Sequence, residues 1–177
     1  MKAMRWVLWI AGGIAAVLAL VTLAGAMMPR TFVATRTATY AKSPAEVWAV
    51  ITDFAATPTW RPGVKKAERG PDLGGKPVWN ETFRNDMRLS LVTEEAVRPT
   101  RLVRRIFGEG LPFTGRWIFV LSPAAGGTRI VLTEEGDVPN PFFRFVSQVV
   151  MGHDRHLDTY LKDLGKHFGA EVQPSAP

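Results

Sequence analysis

The chain has 177 residues, 46% of them hydrophobic and 21% charged, a length that suits one domain or one domain with an appendage. It contains no cysteine, which excludes disulfides, thiolate metal sites, cysteine nucleophiles and a lipid-modified cysteine anchor. Half of the net charge of +6 lies in residues 1–30, and the remaining 19 basic and 16 acidic side chains give no reason to expect nucleic acid.

From Trp6 to Met28 the chain runs for 23 residues without a charge. As a helix it would span about 35 Å, against a hydrocarbon core of about 30 Å. Trp6 and Trp9 stand near one end, where indole rings favour the membrane interface. A retained single-pass anchor through residues 6–28 is expected, with the following domain on the extracytoplasmic side. A cleavable signal peptide, cut at Ala24-Gly25-Ala26, is the competing reading. Lys2 and Arg5 precede the span and Arg30, Arg36 and Lys42 follow it, so the positive-inside count is nearly balanced. Removing residues 1–30 leaves roughly 145, enough for one core.

Thr31 to Tyr40 is rich in Thr, Val and aromatic residues and reads as a strand. Ser43-Pro44-Ala45-Glu46 then combines a capping serine, a proline at the first helical position and a glutamate three residues after the cap. Val47, Trp48, Val50, Ile51 and Phe54 form the apolar side of the helix it opens. A turn at Trp60-Arg61-Pro62-Gly63 leads into a predicted loop ending at Gly74-Gly75. Five strands are expected at Lys76–Arg84, Met87–Val97, Arg101–Phe107, Phe113–Ser122 and Thr128–Glu135. Their short connections imply an antiparallel meander, because parallel neighbours need a long crossover. Phe142, Phe145, Val146, Val149, His153, Leu157, Tyr160, Leu161, Leu164 and Phe168 recur at helical spacing and predict one long closing helix. The expected organisation is an anchor or signal over 1–30, a domain over 31–168 and a flexible tail over 169–177. The fold class is α+β, a helix-grip in which a curved antiparallel sheet wraps the C-terminal helix and leaves a cavity.

The stretch Ser43-Pro44-Ala45-Glu46-Val47-Trp48, followed by Trp60-Arg61-Pro62-Gly63-Val64, resembles the opening of START-like (SRPBCC) domains of the polyketide cyclase/dehydrase and lipid-transport group. Gly115-Arg116-Trp117 through Gly126-Gly127-Thr128, Glu134 to Val138, and the close at Tyr160 to Leu164 are similar to its later elements. The likeness covers about residues 31–168. It implies a hydrophobic cavity for lipids, hormones, polyketides or similar molecules, and implies no catalytic set, because members differ in their catalytic groups.

The expected pocket residues are Trp60, Trp79, Phe83, Met87, Leu89, Phe107, Phe113, Trp117, Phe119, Phe145, Val149 and His153. Trp79 and Phe83 share one strand face, Phe113, Trp117 and Phe119 another, and Met87, Leu89 and Leu91 a third. His153 interrupts the apolar stripe and is the candidate general acid or base; the bland alternative is a histidine satisfied locally. His153 and His156 lack a third ligand at a useful spacing, so no metal and no cofactor is expected. Of Glu94-Glu95 and Glu134-Glu135, one member of each pair can face inward, but the favoured reading is exposed strand-end residues that balance the arginines. Arg98, Arg101, Arg104 and Arg105 read as a solvated sheet face. The leading function is a tethered binding or transfer protein for a lipid or other apolar molecule. The alternatives are a cyclase-like enzyme in the same cavity and a factor that uses the fold for protein contacts.

Overall fold

A computed structural model describes residues 2–108 and 110–177. Helix α1 spans Lys2–Ala26, and its Arg5–Ala26 portion is 22 residues long with a mean hydropathy of 2.4, long and apolar enough to cross a membrane. Strand β1 follows at Thr31–Tyr40, then α2 at Pro44–Thr52 and the single turn α3 at Thr57–Trp60. The capping box is complete: the Ser43 side chain accepts from the Glu46 backbone, and the Glu46 carboxylate accepts from the Ser43 backbone. A cap of this kind is worth about 1 kcal/mol.

Seven antiparallel strands form one sheet in the order β1-β7-β6-β5-β4-β3-β2. They are β2 (Val64–Leu73), β3 (Lys76–Phe83), β4 (Arg88–Val97), β5 (Arg101–Phe107), β6 (Thr114–Ala124) and β7 (Gly127–Asp137), besides β1. Strand β2 occupies the segment predicted as a loop. It pairs with β3 from Val64 opposite Phe83 to Leu73 opposite Lys76. As an edge strand with mostly exposed side chains, it needs no apolar alternation, and so it carries none.

The closing helix is not continuous. Asn140 caps α4 (Pro141–Phe145), a π-helical turn covers Val146–Met151, and α5 begins only at Asp154 (Asp154–His167). Gly152 has φ +70°, a left-handed conformation that stops a helix, and its N–H returns to Ser147 O at 3.0 Å. The π turn therefore shifts the apolar stripe out of phase, and Val149 ends up exposed.

Helix α5 lies across the inner face of the sheet. Leu157, Leu161 and Leu164 are fully buried against Ala34, Ala38, Phe119, Ile130 and Leu132. Each such leucine contributes roughly 2 kcal/mol of transfer free energy. Tyr40 Oη donates to Leu161 O at 2.9 Å, and Arg36 pairs with Asp158 at 2.9 Å, fixing α5 against β1. After α5 the chain runs back along β1, where Thr37 and Ser175 exchange both backbone hydrogen bonds.

Candidate functional site

Register determines what the sheet presents inward. Across β1, β7, β6 and β5, Ala34, Glu134, Trp117 and Arg104 stand in one row, and Phe32, Gly136, Gly115 and Ile106 in the next. On β3, Trp79, Glu81 and Phe83 face the same way, opposite Leu91 and Leu89 of β4. Two carboxylates and one guanidinium thus lie on the buried face.

Each carboxylate is matched. Glu81 accepts from Arg104 Nη1 at 3.0 Å and from Arg61 Nη1 at 3.2 Å. Arg104 also lies 4.0 Å above the Phe54 ring, and Arg61 lies 4.8 Å from the Tyr160 ring and 5.8 Å from that of Trp117. Glu134 accepts from Trp117 Nε1 at 3.1 Å and pairs through its other oxygen with His156 Nε2. The His156 ring stacks on Trp117 at 5.7 Å. Trp117 is therefore the partition between two charged groups. Burial pushes the Arg104 guanidinium below its ordinary pKa against the pull of Glu81, and burial raises the Tyr160 phenol.

On the other side of Trp117 is an apolar cluster. Leu89, Leu91 and Ile106 are buried, and half-buried Phe83, Leu111 and Phe113 pack against them. Behind Ile106, an open crevice of about 560 Å³ runs over the outer face of the same rows, lined by Val33, Arg105, Phe107, Arg116, Glu135 and Asp137, and reaches Phe32, Gly115 and Gly136 at its floor. Two facing glycines leave the inner wall thin there. The Phe32 ring lies over Gly136 and stacks on His153 at 3.5 Å, with the ring planes 15° apart. His153 Nε2 is buried without a hydrogen-bond partner, and burial holds its pKa below the ordinary value, while Glu134 pulls it up, His156 down and Asp154 up.

Of the expected pocket residues, Phe83, Leu89, Phe113 and Trp117 converge on this site. Trp60, Trp79 and Phe119 belong to the packed core, with Trp60 edge-on to Tyr160 at 5.3 Å. Phe107 lies on the outer face, 5.7 Å from Arg105, because its neighbour Ile106 points inward. Met87 is exposed in the β3–β4 turn, and Phe145 packs towards α1 at Gly25. His153 sits at the helix break, not on a continuous stripe.

Only Glu134 of the paired glutamates enters the interior. Glu94 holds Arg105 and Arg116 at 2.6 and 3.0 Å, and Glu95 holds Arg101 at 3.1 Å. Arg104 leaves the expected solvated cluster and is buried on Glu81. Among the described residues no group of three or more His, Asp or Glu side chains converges as a metal site. Sequence reasoning passes over Glu81 and Arg61 as site residues and places Arg104 on the wrong face. A signal existed: Glu81 lies between Trp79 and Phe83, and Arg104 between Leu102 and Ile106, so strand alternation alone sends both inward.

The sequence profile of the family described as polyketide cyclase / dehydrase and lipid transport matches residues 31–160. The chain belongs to that family. Solved structures with the family's fold include an aromatase/cyclase from Streptomyces sp. R1128, at 14% identity and TM-score 0.63, covering 78% of this chain and 94% of that one. A conserved protein from Geobacillus kaustophilus matches at 14% identity and TM-score 0.62, covering 82% and 100%. The Mll3558 protein of Rhizobium loti matches at 26% identity and TM-score 0.54, covering 76% and 93%. No curated protein sequence matches the chain. The family and fold support a hydrophobic ligand-binding or cyclase-like role.

Proposed function

We propose that the protein binds a lipid or other apolar small molecule at the Trp117 end of the grip, while α1 tethers it to a membrane. The observation that carries this reading is the position of Trp117, whose ring joins an apolar cluster to a pair made of buried Glu134 and solvent-exposed His156. A ligand with an apolar body and one polar end matches that division. Its body would lie against Phe83, Leu89, Leu91 and Phe113, and its polar end would meet His156 and Glu134. Helix α1 is retained as an anchor in this reading, with Lys2 and Arg5 on the cytoplasmic side and the domain on the extracytoplasmic, bacterial periplasmic side.

A second reading is favoured by the His156–Glu134 pair. A carboxylate that orients an imidazole is the arrangement of a general base, and His156 could exchange a proton with a carbonyl-bearing ligand in a cyclase-like reaction.

The test is native mass spectrometry of the full chain purified from its host in detergent, followed by extraction of whatever is bound. A lipid or apolar metabolite at near one-to-one ratio, lost in Trp117→Ala, is the expected result. An empty protein that also ignores a lipid panel would overturn the binding reading in favour of protein contacts. Turnover of an extracted polyketide-like compound, abolished by His156→Gln, would establish the enzyme.

A further inference from the structure

The joint between α1 and the domain has a chemistry that a flexible tether would not need. Arg144 is 8% exposed, and its guanidinium donates to Gly25 O at 3.2 Å, Met28 O at 3.0 Å, Val138 O at 3.1 Å and Pro139 O at 2.9 Å. The last carbonyls of a helix have no partner within it, and the helix dipole favours a cation there. One buried cation thus caps α1 and ties the cap to the segment entering α4. A Cβ on Gly25 would lie 1.9 Å from Pro141 O, so the two backbones touch where glycine stands. Gln148 Nε2 adds a bond to Pro29 O at 3.2 Å.

These contacts set α4 and the π-helical turn level with residues 25–29, the end of the apolar span. Among the described side chains of that segment the exposed ones are apolar, Phe143 at 45% and Val149 at 57%, and Met27 at the end of the span is 85% exposed. Arg144 is the sole charge in residues 141–151, and it is used up in the joint.

We propose that α4, the π-helical turn and the last turn of α1 form a bilayer-docking face. The proposal rests on the reading that α1 spans a membrane. Phe143 and Val149 then enter the interfacial layer, where apolar side chains on a locally uncharged surface are stabilised. The face continues through Gly152 into His153 and its partner Phe32. Phe32 itself is four residues from Met28, at most about 14 Å along the chain. The end of the grip that holds Phe32 and His153 is thereby kept close to the lipid surface.

The absence of native cysteine makes the test direct. The full chain carrying a single environment-sensitive fluorophore at Leu18→Cys, Val149→Cys or Lys66→Cys is reconstituted into phosphatidylcholine vesicles containing brominated lipid. Lipid quenching at Leu18 and Val149, with none at Lys66, is the expected result. Arg144→Gln should abolish quenching at Val149 while leaving Leu18 quenched. Phe143→Asp, which charges the face without touching the joint, should lower the Val149 quenching severalfold. Quenching at Leu18 with none at Val149 in the unmutated background would overturn docking and leave the span intact. No quenching at Leu18 would overturn the span and docking together. A Val149 probe shielded from lipid and water alike, with shielding that falls on dilution of protein in the vesicles, would identify a second copy as the occupant and overturn the proposal.

Discussion

Trp117 Nε1 donates to Glu134 Oε1 at 3.1 Å, while the ring of the same residue lies 5.8 Å from the Arg61 guanidinium bound to Glu81. One indole thus serves two buried carboxylates, one through its edge and one through its face. Replacing it by phenylalanine keeps the face and removes the donor. Trp117→Phe should lower the unfolding free energy by about 1 kcal/mol, because Glu134 retains His156. Trp117→Ala should cost about 4 kcal/mol. Urea unfolding of the full chain in detergent separates the two.

Glu81 is shared by two guanidiniums, and Arg104 has Nε and Nη2 without further partners. Glu81→Leu leaves two like charges facing each other in the core, and should cost about 3–5 kcal/mol. Combining it with Arg104→Met should recover part of that loss. A double-mutant cycle that shows simple additivity would contradict this account.

His153 gives the fold a pH dependence of defined sign. Burial holds its pKa below 6.5 in the folded chain, so the unfolded chain binds a proton first as the pH falls. Stability is complete above 6.5, declines as the pH drops towards the depressed folded value, and is then level until the carboxylates titrate. His153→Phe keeps the stack on Phe32 and removes this loss. Thermal unfolding at about pH 7.5 and about pH 5.5 should show a smaller acid-side drop for the variant than for the parent.

Gly136 makes room for the Phe32 ring; a Cβ there would sit 2.1 Å from it. Gly136→Ala should expel the ring, expose His153 and raise its pKa back towards the ordinary value. The proton NMR titration of the His153 imidazole is the measurement, and an unchanged midpoint would show that the stack is not what buries it.

How far these features were legible depends on what each residue needed from its neighbours. The capped helix at Ser43 and the five strands from Lys76 onward follow from local patterns, because turns and alternation are written in adjacent residues. Strand β2 is legible only through its partner: Lys65, Lys66, Glu68 and Arg69 look like a loop until β3 supplies the hydrogen bonds. The break at Gly152 is not legible locally, since one glycine in a helical pattern does not by itself reveal a π turn. Phe107 and Arg104 were misplaced for opposite reasons, an aromatic ring assumed inside and a charge assumed outside. At the site, the aromatic wall is readable and the ion pairs that divide it are not, because they join residues twenty or more positions apart.

The backbone exchange between Thr37 and Ser175 has a consequence for self-association. A sheet with a bare outer strand invites a copy of itself to pair there. Strand β2, at one margin, carries Lys65 and Lys66, whose charges discourage such stacking. At the other margin β1 carries alternating Thr residues and an outward Val33, a sequence well suited to recruiting another chain. Among the described residues the returning tail pairs with that margin at Thr37 alone, which interrupts the row of free backbone groups near its middle. Ser175→Pro, which removes one of the two bonds there, should therefore raise the tendency of the chain to self-associate, as read by light scattering.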